Sequence, residues 1–295
     1  MYVAFNGVFR PQGKECRVRR DPPSRGRLRE ARGDGAPAGA DLSLTLLTMR
    51  PSRSLVLSQP TGITHVMWRC HNKERLLEAP EYKHLYLQSL IFGLDHKSTD
   101  ESVRLHCFAV MDNHTHQQMS YQNGSQTLSD FMRIANSRFG SHFNRRKKRS
   151  GKVANERPKT SLVGNVASEM RVHFYVEANP IRAGITQLEK LRYLPWNSYR
   201  YYAYGIVDHY TRHLTPPQWY LDLGRTPIER QRAYRKLFKD YLEQSLSPWR
   251  QFLKRFIGAP DWIFEKEQAI KSALKARNEP QSAMTRSGLK ASPPE

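Results

Sequence analysis

The sequence predicts an α+β fold, on three observations. Residues 62–70 are β-branched and aromatic and read as a strand. Residues 102–111 alternate through Val103, Leu105, Cys107, Ala109 and Met111. Residues 114–121 follow the turn signal Asp112-Asn113 as a second strand, so these two pair antiparallel. Residues 80–92 and 127–143 carry apolar side chains at helical spacing.

Each element has a local reason. In the first strand, alternation puts Ile63, His65, Met67 and Arg69 on one face, and Thr64, Val66, Trp68 and Cys70 on the other. Pro80 and Glu81 open the first helix, whose spaced residues are Tyr82, Leu85, Tyr86, Ser89 and Leu90. The second helix has the stripe Leu128, Phe131, Met132, Ala135, Phe139 and Phe143, and ends in five consecutive cations. A third helix is expected over 163–178. Pro180 limits it, because a residue before proline avoids the α region, and Gly184 supplies a second break. Beyond Pro216 the chain reads as helical, over 228–246, around 249–257 and over 262–276.

The expected organisation is a disordered basic tail over 1–48, a main domain over 49–210, a helical accessory region over 211–278 and a loose tail over 279–295. The tail 1–48 mixes Arg with Gly, Pro and Asp without apolar period. It reads either as an arm that grips phosphates or as translated upstream sequence before a start at Met49, and the second is the expectation.

Charge narrows the partner. The 295 residues carry 48 Lys+Arg against 27 Asp+Glu, a formal net charge of +21. Mean hydropathy is -0.72. That balance points first to nucleic acid and second to an anionic membrane surface. Aromatic residues make up 11% of the chain, with 14 Tyr, which suits single strands whose bases stack on rings. No apolar run approaches membrane-spanning length. Three cysteines, Cys16, Cys70 and Cys107, show no metal spacing and imply a reducing, cytoplasmic setting.

Two pairs of residues carry chemistry. His114 and His116, two apart on a strand, project to one face and can bind one divalent metal ion. Gln118 and Ser120 continue that face, as expected of an open site. With 11 His in the chain such a pair also arises by chance. Zinc is disfavoured, since no cysteine cluster or third histidine stands at ligand spacing. Tyr175 and Asn179, four apart, share a helix face, so Asn179 offers an amide oxygen beside a tyrosine hydroxyl. A phenol needs a cation or base to become a nucleophile. Alone, this pair is equally a packed tyrosine and a helix-terminal asparagine.

Taken together, the motifs resemble the REP-associated tyrosine transposases, within the single-tyrosine HUH transposases of bacterial insertion sequences. The resemblance runs from about Met49 to Tyr204. Thr64-His65-Val66-Met67-Trp68-Arg69 is similar to that family's opening strand. Met111-Asp112-Asn113-His114-Thr115-His116 is similar to its Met-Pro-Asn-His-Val-His element, and Phe143-Asn144-Arg145-Arg146 to its Tyr/Phe-Asn-Arg segment. The stretch from Phe174 to Gly184 is similar to its Tyr-Ile-Glu-x-Asn-Pro-Val-Arg-Ala-Gly signature, and Pro195-Trp196-Asn197-Ser198-Tyr199 to its Trp-Ser-Ser-Tyr close.

The resemblance implies an RRM-like or ferredoxin-like antiparallel sheet with helices on one face, plus a C-terminal helical extension. It implies Mg²⁺ or Mn²⁺ held by His114, His116 and Asn179, with Tyr175 as catalytic nucleophile in single-stranded or hairpin DNA. It implies a metal-dependent endonuclease and strand transferase that forms a 5′-phosphotyrosine, acting as monomer or homodimer. The alternative is a hairpin-binding protein without catalysis. A zinc-stabilised structural protein is a third reading. The expected nucleic-acid contacts are Arg69, Arg145, Arg146, Lys147, Lys148, Arg149 and Arg182. Thr115 and Gln117-Gln118 stand where the family is apolar, so weak packing is expected on the inner side of that strand. Asp112 stands where the family has proline, and residues 151–155 lack an aromatic usual there.

Overall fold

The computed structural model describes residues 52–99, 101–244, 252 and 254–278. The tails expected over 1–48 and 279–295 lie outside the described residues. The core is a βαββαβ repeat: β1 (Gly62–Arg69), α2 (Pro80–Leu94), β2 (Val103–Val110), β3 (His114–Tyr121), α3 (Ser125–Arg146) and β4 (Lys159–Val163), preceded by the short α1 (Arg53–Val56). The strands lie in the order β2-β3-β1-β4, all antiparallel, which is the ferredoxin-like arrangement.

Alternation decides which side chains meet which helices. Trp68 packs on Tyr86 of α2 and Phe139 of α3, so this face of the sheet carries the two helices of the repeat. The α3 stripe Leu128, Phe131, Met132, Ala135, Phe139 and Phe143 is buried as its spacing predicts. The two helices approach closely at Gly93, where a Cβ would meet the Phe131 ring at 2.9 Å. Thr115 and Gln117 also point here, and the weak packing expected of them is absent. The Tyr86 hydroxyl accepts from Thr115 Oγ1 at 3.0 Å and from Gln117 Nε2 at 3.2 Å, so the donors of these buried side chains are paired, while Gln117 Oε1 is buried without a partner. Asp112 likewise ties the β2–β3 turn to α2 through Lys83 at 2.7 Å, and to the loop before α2 through Arg75 at 2.6 Å.

The opposite face is covered by a further helix, α4 (Val166–Arg182). Its fit is set by Gln118, whose Nε2 donates to the Glu169 carbonyl and whose Oε1 accepts from His173 Nδ1, both at 2.9 Å. Gln118 is fully buried and anchors α4; it does not line an open surface. Four more helices follow: α5 (Leu188–Leu191), α6 (Tyr199–Tyr204), α7 (Gln218–Leu221) and α8 (Pro227–Gln244). An aromatic layer of Tyr202, Trp219, Tyr234 and Phe238 packs against His173 and Phe174 on the outer side of α4. Strand β5 (Phe256–Ile257) adds to β4 in parallel, and α9 (Pro260–Asn278) closes the described chain. The β2 edge is covered, since residues 196–198 and 214–215 hydrogen-bond along it.

Three expectations need correction. The helix predicted over 163–178 runs over Val166–Arg182 and passes through Pro180. The proline removes one N–H near the helix end, and Asn179 Nδ2 lies 3.4 Å from the carbonyl of Val176 that loses its donor. Gly184, at φ 68°, ends the helix as expected. Second, the β2 alternation breaks at His106, where a bulge puts Val103 and Leu105 on the α2–α3 side and Cys107 and Ala109 toward α4. Third, Phe256–Ile257 is a strand, where the sequence reads as helix.

The bulged His106 has a consequence for stability. Burial lowers its pKa to about 4, partly offset by the bond from Nδ1 to the Thr215 carbonyl at 2.7 Å. A folded pKa below the unfolded value means that unfolding takes up a proton. Its contribution is therefore full above about pH 6.5 and fades toward pH 4, by about 3 kcal/mol in all. The Glu169 carboxyl, raised by burial to about 7, acts in the opposite sense over a similar range. Comparison with a variant isolates the histidine. Urea titrations of His106→Asn against the parent should show the variant gaining relative stability as pH falls from 6.5 to 4.

Candidate active site

Antiparallel pairing of β1 with β3 brings three histidines together on the α4 side. Met67 stands opposite His116 and Arg69 opposite His114, and His65 reaches diagonally to His116. The His65 and His116 rings lie edge to edge and nearly coplanar, with centroids 5.1 Å apart and planes 9° apart. The His114 and His116 centroids lie 5.0 Å apart at 83°.

The hydrogen bonds fix which ring nitrogens carry protons. His65 Nδ1 lies 2.9 Å from the carbonyl of Phe252, which can only accept, so this nitrogen is the N–H. His65 Nε2 then bears a lone pair and accepts from His116 Nδ1 at 2.9 Å. His114 Nδ1 donates to Asn113 Oδ1 at 2.6 Å. The outcome is one lone pair on Nε2 of His114 and one on Nε2 of His116, the form in which imidazole binds a metal. Burial lowers the pKa of His65 and His114 to about 4, and that of His116 well below the usual imidazole range. The nearby Arg69 charge lowers His114 and His116 further.

Tyr175 meets this cluster from α4. Its ring lies edge-on to His116 at 5.4 Å and to His65 at 5.6 Å. Asn179, one turn on, donates from Nδ2 to the Tyr175 carbonyl at 2.8 Å, which leaves Oδ1 as acceptor. Tyr175 is 3% exposed and Asn179 9%. Phe252 covers the tyrosine ring, stacked at 4.2 Å and 17°. Burial raises the phenol pKa, and the Arg182 guanidinium, 5.6 Å over the ring, works against that rise.

The structure thus brings His114, His116 and Tyr175 together, with Arg69 opposite His114 and with Asn179 and Arg182 beside Tyr175. Of the cationic run, Arg145 and Arg146 form the last turn of α3, and the four residues Arg145–Lys148 are exposed. Arg149 Nη1 lies 3.6 Å from Glu74, just past the Arg69 end of β1, so the run sits at the His114 end of the sheet. Arg146 bears instead on His84 of α2. Sequence reasoning missed His65 and Phe252. His65 shares the Arg69 face by alternation, and the signal that could have found it is the pairing of β1 with β3. Nothing local marks Phe252.

The donor set fits a divalent ion with mixed nitrogen and oxygen ligands, through two imidazole lone pairs and one amide oxygen. Among the described residues no group of three His, Cys, Asp or Glu could hold a metal. His65→Ala leaves His116 Nδ1 unpaired and free to change tautomer. Titration calorimetry should show Mn²⁺ affinity falling by about 10–100-fold.

The chain is similar to a solved structure of another protein. It is titled as a REP-associated tyrosine transposase bound to a REP hairpin, and is 15% identical, with TM-score 0.40, over 50% of this chain and 82% of that chain. The likeness is distant. No family model and no curated protein matches the chain. No described helix is long and apolar enough to cross a membrane.

Proposed function

We propose that this protein is a metal-dependent endonuclease and strand transferase for single-stranded, hairpin-forming DNA, with Tyr175 as nucleophile. The observation that carries the reading is the adjacency of the His114 and His116 rings, centroids 5.0 Å apart and each engaged through Nδ1, with the Tyr175 ring 5.4 Å from His116. In this reading His114, His116 and Asn179 hold Mg²⁺ or Mn²⁺. The bound ion would supply Lewis-acid polarisation of the scissile phosphate.

The chain's own residues do the rest. His65 and Asn113 hold the two imidazoles in their ligating tautomers. Arg182 lowers the cost of ionising the phenol, and Arg69 adds positive charge where a phosphate would approach. Tyr175 Oη attacks phosphorus. The Oη–P bond forms, the bond from phosphorus to the 3′-oxygen breaks, and that oxygen leaves as a 3′-hydroxyl after taking a proton. Attack by this hydroxyl on the phosphotyrosine reverses the balance and needs no ATP.

Binding without turnover is the second reading, favoured by the burial of Tyr175 under Phe252. One experiment separates the two. The full chain is incubated with Mn²⁺ and labelled hairpin DNA carrying single-stranded flanks, and resolved under denaturing conditions. Strand transfer predicts a covalent band that EDTA removes; binding alone predicts a native gel shift and no such band.

A further inference from the structure

Away from the metal-binding candidates, arginines rest on histidines. On α3, Arg145 Nη2 lies 3.2 Å from His142 Nδ1. In the segment after α6, Arg212 Nη2 lies 3.2 Å from His209 Nδ1, and Arg212 Nε lies 3.2 Å from His213 Nε2. A guanidinium can only donate, so each of these ring nitrogens bears a lone pair and the three imidazoles are neutral.

The two groups meet across α2. His84 of α2 bonds to the Tyr210 hydroxyl, its ring lies 6.5 Å from His209, and the Arg146 charge at the end of α3 bears on it. A cationic ridge therefore runs from the last turn of α3 over α2 to residues 209–213. Burial, then His209 and Arg146, lower the His84 pKa; burial, then Arg138, Arg145 and Arg146, lower that of His142. Burial lowers His213 as well, against the opposing pull of Asp95. The nearby acids are engaged: Asp95 lies 4.0 Å from His213 Nδ1, and Asp208 lies 3.5 Å from Arg200 Nη1. Glu81, in the first turn, is the acid within α2 itself.

This surface suits a phosphate backbone presented from outside. The Lys147 ammonium lies 4.9 Å over the Tyr82 ring, and the Arg138 guanidinium 4.1 Å over Phe92. These ring faces are taken, so an unpaired base has no platform on them, and the arrangement favours a duplex over a single strand. A polyanion that draws the arginines away frees the ring nitrogens and supplies the negative charge that favours protonating them.

We propose that this ridge is a second nucleic-acid surface, which grips the backbone of a DNA duplex and takes up protons as it does so. Phosphates draw Arg145 and Arg212 off His142 and His209, and the freed imidazoles bind protons from solvent. Each imidazole gains one N–H, and no bond in the DNA changes. This goes beyond the strand-transfer reading, since it uses no metal ion, no nucleophile and no single strand.

The test uses the full chain in EDTA with a blunt-ended duplex that has neither loop nor flank. Titration calorimetry at pH 6.5, in two buffers of different ionisation enthalpy, counts the protons. About one should be taken up per duplex bound, and anisotropy should show binding tightening by about tenfold from pH 7 to pH 6. His142→Asn with His209→Asn keeps the surface polar; it should bind like the parent at pH 8 and lose most of the gain at pH 6. Arg145→Ala with Arg212→Ala should lose affinity at both pH values, with a salt slope shallower by about 1.8. No proton uptake by the parent, or undiminished uptake by the double histidine variant, overturns the proposal. Anionic lipid vesicles that bind as tightly, with the same uptake, overturn the assignment to a duplex.

Discussion

Tyr175→Phe is expected to fold like the parent, to bind hairpin DNA as well, and to form no covalent adduct. The phenylalanine keeps the stack on Phe252 and the edge contacts to His65 and His116, all of which are made by the ring. What is lost is one hydroxyl near the Asn179 side chain. Even a hydrogen bond there would contribute only about 1 kcal/mol, so the thermal midpoint should hardly move. Strand cleavage should fall by about 10³-fold or more, the scale on which removing a nucleophile acts. Quantifying the denatured covalent band beside a native gel shift gives both numbers from one set of samples.

Glu177→Ala is expected to cause the largest loss of stability. Glu177 is fully buried on α4, between the catalytic candidates Tyr175 and Asn179. Its carboxyl oxygens accept from Ser198 Oγ and Tyr234 Oη, each at 2.5 Å, and His173 Nε2 lies 3.6 Å away. Asn197 Nδ2 donates to its backbone carbonyl at 2.9 Å. The side chain thus pins α4 to α8 and to the segment before α6. Truncation leaves the buried Tyr234 hydroxyl without its acceptor, leaves Ser198 Oγ its longer 3.3 Å bond to the Phe108 carbonyl, and opens a cavity, a loss of about 3 kcal/mol. At ~2–4 °C per kcal/mol for a domain of this size, the midpoint should drop by roughly 6–12 °C. Glu177→Gln keeps the volume and one acceptor, and should lose less than half as much. Differential scanning calorimetry of the two variants checks the order.

The difference between these variants shows how much of the molecule is legible in the chain. Alternation along β1 and β3 and the apolar stripe of α3 are local patterns, and the structure has them where the sequence puts them. His114 with His116, and Tyr175 with Asn179, are local pairs too, and their faces follow from period alone. What is not legible depends on distant partners. His65 becomes part of the site only because β1 pairs beside β3, and Phe252 only because it stacks on α4 from almost eighty positions further along. The bulge at His106 needs Thr215 to accept its proton. Pro180 reads as a helix stop because the lost N–H is visible in sequence, whereas the Asn179 amide near that carbonyl is not. β4 lacks enough length or alternation to stand out after a polar loop, and it is recognisable as a strand only from its pairing with β1. Gln117 and Thr115 read as poor packing because the Tyr86 hydroxyl that accepts from them lies on another element.

The most direct test locates the covalent bond. The parent protein is trapped with Mn²⁺ and hairpin DNA, digested with nuclease and protease, and the modified peptide sequenced by mass spectrometry. The strand-transfer reading predicts a nucleotide joined through its 5′-phosphate to Tyr175. A nucleotide on any other residue, or no modified peptide from a sample that shifts the hairpin on a native gel, would contradict it.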